Sequence, residues 1–269
     1  MNARFSSEIG VLFAALVVLG ALFVPTGSAA GDAAPDDRTV TVQGTLQITP
    51  DTPGISEEEF MAYADRMEQK YGPASIDALK SHVQGPPSLP DAARNLRYVS
   101  AWTGNLEVEN NAGVVLASSD NALVLYASDE TDEQGRDHYY WWQWSVAQNR
   151  EDTLMGDDSN LRNFWNRVAF ENATSDLLFY APDADIIGVE YTVAIGLGTD
   201  RIGKDLVLHQ GKVRPKPGEC RVGSAGKFAV DWVGNHEGSQ SLYGVCEERR
   251  SAGADAHVLW TYNLTVSQF

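Results

Sequence analysis

Apolar and polar residues alternate in short runs along most of the chain, which predicts a protein built mainly of β-strands. After Leu96 these runs are separated by Gly, Asn, Asp and Pro at the spacing expected of a β-sandwich or barrel. The clearest run has one apolar face formed by Val258, Trp260, Tyr262, Leu264 and Val266, and polar residues between them. This alternation is typical of an antiparallel strand with one buried face.

The same pattern predicts a first strand over 38–49, kinked at Gly44. We expect further strands at 96–103, 113–117, 122–127, 138–147, 164–170, 177–181, 186–195, 206–213, 227–233, 241–246 and 257–267. The predicted fold class is mainly β, an antiparallel β-sandwich of roughly ten strands.

A helical pair is predicted near the start of this domain. Ser56 and Glu59 form a capping box, and apolar residues follow at helical spacing until Gly72 and Pro73. A second short helix is predicted over 75–83. We therefore expect residues 38–269 to form a single β-sandwich domain with a helical insertion at about 55–85.

The first thirty residues have the pattern of a secretory signal peptide. A short polar stretch with Arg4 precedes an apolar segment from Val11 to Val24, and small residues lead to a cleavage site after Ala30. An uncleaved membrane anchor is the alternative, but its apolar core would be shorter than the roughly twenty residues that span a bilayer. Residues 31–37 are predicted to be a disordered acidic tail. The sequence thus predicts a secreted, extracellular or cell-surface protein.

Acidic side chains dominate the surface chemistry. The chain has 37 Asp and Glu residues, 20 Lys and Arg residues and a formal net charge of −17. Lysine is scarce relative to arginine, and this composition resembles that of halophilic secreted proteins; an ordinary acidic secreted protein is the alternative. Nucleic acid and anionic membranes are poor partners, because both require a basic face. The basic clusters noted in the sequence, Lys212 with Arg214 and Lys216, and Arg249 with Arg250, are small.

We expect the stability of the folded chain to rise with salt, because unscreened repulsion among its acidic groups opposes compaction. The Debye length shortens from about 10 Å at 0.1 M to about 3 Å at 1 M salt, so sodium chloride should raise the melting temperature over this range. A melting temperature that stays flat up to about 2 M sodium chloride would show that the acidic surface is incidental.

Cys220 and Cys246 occur in a chain expected to reach an oxidising compartment, so we expect them to form a disulfide. A metal site or a reactive thiol is the alternative, although no CxxC spacing supports either. We also expect the strands over 228–233 and 241–246 to be neighbours. Two N-glycosylation sequons begin at Asn172 and Asn263.

The segment His138–Trp144 is unusually aromatic. Alternation places Tyr139, Trp141 and Gln143 on one face, and flat rings beside an amide are the combination that binds sugars. These three residues are the candidate glycan site. The alternative interpretation is a central strand buried on both sides.

No catalytic constellation is visible, so the catalytic residues remain unknown. The five histidines share no metal-ligand spacing, and neither a metal nor a cofactor is expected. Calcium at the acidic loops 129–137, 157–158 and 183–185 is a weak alternative, since none fits an EF-hand. Glu107 and Glu109 would share one face of a strand, as a pair of glycosidase carboxylates could, but the asparagines beside them predict a turn.

These observations favour a non-enzymatic extracellular binding or cell-surface interaction module, with a glycan as the candidate ligand. The alternatives are a secreted polysaccharide-acting enzyme, a hydrolase or lyase, and a structural cell-envelope component.

Overall fold

A computed structural model of the chain describes residues 38–73, 96–110, 113–150, 159–187, 190–195, 202–208 and 210–268. The one helix in these ranges is α1 (Glu57–Tyr71). The strands are β1 (Arg38–Ile48), β2 (Leu96–Glu109), β3 (Val115–Thr131), β4 (Asp137–Asn149), β5 (Ser159–Phe170), β6 (Ser175–Ala181), β7 (Glu190–Ile195), β8 (Ile202–Val207), β9 (Lys212–Pro215), β10 (Gly223–Ser224), β11 (Lys227–His236), β12 (Ser239–Arg250) and β13 (Val258–Gln268).

The strands form two antiparallel sheets that pack against each other. Sheet A has five strands in the order β1-β13-β5-β11-β9, and sheet B has six in the order β10-β6-β12-β4-β3-β2. Strands β7 and β8 pair separately as an antiparallel hairpin. The predicted fold class, a mainly β antiparallel sandwich, is confirmed.

The apolar faces of the two sheets meet in a core that contains several fully buried aromatic rings. Trp260 and Phe228 of sheet A and Trp141 of sheet B have no exposed surface. Polar residues in this core bond across the sandwich: Asn166 Nδ2 of sheet A donates to the Trp144 carbonyl of sheet B at 3.2 Å. The core therefore includes directional contacts that fix how the two sheets are aligned.

Tyr262 fills the space between the edges of the two sheets. A Cβ atom placed on Gly44 of β1 would lie 2.4 Å from Tyr262 Cε2, and one on Gly104 of β2 would lie 2.0 Å from Tyr262 Oη. Larger residues at these two positions would collide with the tyrosine ring. Both glycines are thus explained by the close approach of a ring to the backbone.

Helix α1 begins at the predicted capping box. The Glu59 amide donates to Ser56 Oγ at 3.3 Å, and the Ser56 amide donates to Glu59 Oε2 at 2.8 Å. The apolar face of the helix covers the outer face of sheet B, where Tyr63 packs edge-on against Trp144 with ring centroids 6.4 Å apart. The predicted second helix lies outside the described residues, as do the signal peptide and the acidic tail.

Several predicted boundaries were wrong. The predicted strands 113–117 and 122–127 are one continuous strand, β3, and the predicted strand 206–213 corresponds to β8 and β9, which pair with different partners. Glu107 and Glu109 lie within β2 rather than in a turn. Within the described ranges, no helix combines the length and apolar character needed to cross a membrane.

Candidate functional site

The predicted glycan-binding residues lie on β4, and the structure buries most of them. Trp141 and Gln143 have no exposed surface, and Tyr139 is half-buried. Trp141 stacks on Trp102 with ring centroids 5.9 Å apart, and Gln143 Nε2 donates to the Phe228 carbonyl of sheet A at 3.4 Å. The glycan interpretation required an exposed face, so β4 instead matches the alternative, a central strand buried on both sides.

Charged groups of the chain itself contact the aromatic residues that were predicted to bind a sugar. The Arg250 guanidinium lies over the Tyr139 ring, 4.1 Å from its centroid, and Trp141 Nε1 donates to Glu248 Oε2 at 2.8 Å. Arg250 also donates to both oxygens of Glu248, at 3.0 and 2.6 Å. This buried pair therefore provides the acceptor for the indole N–H group of Trp141 and places a cation over the Tyr139 ring.

The predicted disulfide is wrong, because both cysteines are free. Cys220 Sγ donates to the Ala229 carbonyl at 3.4 Å, and Cys246 is completely buried in β12. Burial raises the pKa of both thiols, that of Cys246 well above its ordinary value, which favours the protonated form. The segments over 228–233 and 241–246 do contact each other, since a Cβ atom on Gly244 would lie 2.9 Å from Val230 Cγ1, but they are facing strands of opposite sheets.

The two sequons differ in their surroundings. Asn172 lies in a turn, where its Oδ1 accepts from the Thr174 amide at 3.0 Å. Asn263 is nearly buried, and its Oδ1 accepts from the Trp165 amide at 3.0 Å. A glycan is therefore more easily accommodated at Asn172 than at Asn263.

No three His, Cys, Asp or Glu side chains converge as metal ligands in the part of the chain that the structure describes. In the acidic loops, Asp132 accepts from the Arg136 amide and Asp185 pairs with Lys212 at 2.7 Å. Asp157 and Asp158 lie outside the described residues.

A cluster of cationic side chains lies on the face of sheet A that points away from sheet B. Alternation along β9 places Lys212 and Arg214 on this face, because Val213 between them is fully buried in the core. We call this cluster the basic face. Its five cations are Arg167, Lys212, Arg214, Lys216 and Lys227.

The register of sheet A aligns the basic face around one tryptophan. Trp165 of β5 lies directly opposite Asp231 of β11, which in turn lies opposite Arg214 of β9. The Trp165 ring is 8% exposed because cations cover it: Arg167 Cζ is 5.7 Å and Lys216 Nζ is 5.2 Å from the ring centroid. Both distances are within the range of cation–π attraction.

Carboxylates neutralise only part of the basic face. Glu219 Oε2 accepts from Arg167 at 2.9 Å and from Lys227 at 2.8 Å, and these hydrogen bonds, that of Lys227 foremost, hold the pKa of Glu219 below its ordinary value. Asp231 accepts from Arg214 at 3.1 Å and from Asn163.

Burial raises the pKa of Asp231, although Lys216, Asn163 and Arg214 oppose the shift. With Asp185, the described residues of this face include three carboxylates in contact with its cations, against five cations.

Comparisons with known protein families and with curated proteins found no match. Among solved structures, the chain is similar to Clostridium perfringens delta-toxin, with 7% identity and a TM-score of 0.41 over 63% of this chain and 85% of that one. It is also similar to a structure described as a pore forming protein, with 6% identity and a TM-score of 0.37 over 64% of this chain and 88% of that one.

The sequence contained a partial signal for the basic face. Lys212, Arg214 and Lys216 alternate along the sequence, but these three cations are few against 37 acidic residues. Arg167 and Lys227 join it only through the pairing of β5 with β11, which no local pattern specifies. Chemically, the assembled face presents guanidinium and ammonium donors suited to carboxylate or sulfate groups.

Proposed function

We propose that this chain is an exported binding module that holds an acidic polysaccharide at the basic face. The observation that supports the proposal is the collection of five cations on one face of sheet A, two of them over the Trp165 ring, in a chain whose formal net charge is −17. Cations spread at random over an acidic surface would each be surrounded by carboxylates. Here they outnumber the carboxylates that they contact.

An acidic polysaccharide fits the neighbouring surface as well as the charge. Exposed uncharged side chains of β1, including Thr41, Gln43 and Thr45, occupy the same outward face of sheet A. Hydroxyl and amide groups hydrogen-bond to sugar hydroxyls, whereas the cations pair with uronate or sulfate groups. An extended acidic chain that crosses sheet A would contact both kinds of surface.

We expect the double variant Lys212→Glu/Lys216→Glu to weaken binding of polygalacturonate by about tenfold or more, equivalent to about 1.4 kcal/mol. Both lysines are partly exposed, and neither is part of the sandwich core, so the fold should persist. The measurement is isothermal titration calorimetry at near-physiological ionic strength, with dextran sulfate and neutral dextran as further probes.

The matched control is Arg66→Glu/Arg97→Glu, which changes the net charge equally at exposed positions on α1 and β2. It should leave the affinity nearly unchanged, because it does not alter the basic face. Equal weakening by both variants would show that total charge alone governs binding and would contradict the proposal. Binding of duplex DNA in preference to every polysaccharide would assign the face to a different class of ligand.

A further inference from the structure

The two sheets of the sandwich have four edges, and three of them carry features that discourage pairing with another chain. Edge strand β9 has four residues and includes Lys212 and Pro215. Edge strand β10 has only two residues. Edge strand β2 is long, but it carries two register shifts and the charged side chains of Glu107 and Glu109. Short strands, charges, prolines and bulges are the devices that protect sheet edges.

The fourth edge, β1, has none of these devices after its first residue, Arg38. It spans 11 residues and pairs with β13 in an unbroken register from Arg38 opposite Gln268 to Ile48 opposite Val258. The sequence from Thr39 to Thr49 contains neither a charged residue nor a proline. Among the described residues, β1 pairs with a neighbouring strand on one side only. A regular row of backbone groups therefore faces outward along its other side.

We propose that β1 is the surface through which two copies of this chain associate, with their β1 strands antiparallel. An antiparallel pairing of identical strands is consistent with a two-fold axis, which gives a closed dimer. The two five-stranded A sheets would then form one continuous sheet. The backbone groups of β1 would gain the hydrogen bonds that their position at an edge leaves unmade.

The charge of the chain favours this edge over other contacts between copies. Two molecules that each carry a formal net charge of −17 repel each other, and the repulsion is smallest where the contacting segments are uncharged. The β1 segment meets this condition over its whole length after Arg38. Since added salt screens the remaining repulsion, association should strengthen as salt rises. Electrostatic binding of a polyanion to the basic face should weaken under the same change.

The register with full overlap places Gln43, the middle residue of β1, at the two-fold axis. Thr41 then lies opposite Thr45 of the second copy, and Thr39 lies opposite Gln47 of the second copy. All four side chains are exposed. Thr–Thr pairs across antiparallel strands are favourable, and Thr41 already makes such a contact with Thr265, with hydroxyl oxygens 2.9 Å apart.

The test is the variant Thr41→Lys/Thr45→Lys, studied by sedimentation equilibrium beside the unaltered protein in about 0.1 M and 1 M sodium chloride. In the proposed register each new lysine faces another lysine across the interface, and like charges directly opposite destabilise strand pairing. We expect the dimer dissociation constant to rise about tenfold or more. The matched control, Thr103→Lys/Thr131→Lys, adds the same charge at exposed positions on β2 and β3 and should dimerise normally.

A protein that stays monomeric in high salt overturns the proposal, and so does association that Thr41→Lys/Thr45→Lys leaves unchanged. Hydrogen exchange of the unaltered protein provides a test that does not depend on any variant. The amides of β1 should exchange more slowly at high than at low protein concentration, whereas those of edge strand β2 should not change. Concentration-dependent protection elsewhere without protection of β1 would place the interface on another surface.

Discussion

We expect Glu248→Ala to lower the free energy of unfolding by about 3–5 kcal/mol at neutral pH, because it leaves a buried cation without its partner. Glu248 has no exposed surface, and Arg250, whose side chain is 5% exposed, donates two hydrogen bonds to it. The substitution also removes the acceptor of Trp141 Nε1. Denaturant unfolding followed by tryptophan fluorescence measures the loss.

The control for this variant is Glu219→Ala, which removes a carboxylate that bridges two cations at the surface. Its side chain is 30% exposed, so the expected cost is at most about 1 kcal/mol. The lowered pKa of Glu219 means that its contribution is complete above its unfolded pKa and is lost as the pH falls through its folded pKa. Both variants should therefore be compared at neutral pH. Equal costs for the two would contradict the assignment of Glu248 and Arg250 as a buried pair.

The sequence predicted the fold class because alternation of apolar and polar residues survives in most strands. It failed where buried polar residues interrupt that alternation. Residues 118–121 of β3 are Ser, Ser, Asp and Asn, a composition typical of a turn. In the structure Asp120 accepts from Lys70 at 2.7 Å and from Tyr71 at 2.6 Å, both at the end of α1. A contact between residues so distant in sequence cannot be recognised from a local pattern.

Alternation was also insufficient to predict the surroundings of the candidate glycan site on β4. Alternation correctly separated Trp141 and Gln143 from Trp142 and Trp144, but it could not show that both faces of β4 are covered. Sheet A covers the first face and α1 packs against Trp144 on the second. The indole of Trp141 and the amide of Gln143 suggested a solvent-exposed surface, but their hydrogen-bond partners are buried groups of the same chain. Periodicity specifies which residues share a face, whereas the number of packed layers depends on tertiary structure.

We expect Trp141→Ala to lower the free energy of unfolding by about 3–5 kcal/mol, because it removes a fully buried ring from a packed core. The ring stacks on Trp102 and meets Phe170 edge-on, with centroids 5.9 and 6.1 Å away. The surrounding groups belong to both sheets, so the cavity can close only if the sheets shift. Thermal and denaturant unfolding measure the loss.

Trp141→Phe separates packing from hydrogen bonding at this position. It keeps an aromatic ring between Trp102 and Phe170 but removes the N–H group that donates to Glu248. We expect a smaller loss of about 1–3 kcal/mol, the usual cost of leaving a buried polar group without one of its partners.

The same pair of variants tests the glycan interpretation of β4. A ligand-stacking tryptophan at a surface would affect binding while changing stability little, since surface substitutions usually cost less than about 0.5 kcal/mol. If Trp141→Ala unfolds at the same denaturant concentration as the unaltered protein and loses affinity for a polysaccharide, β4 rather than the basic face is the binding surface.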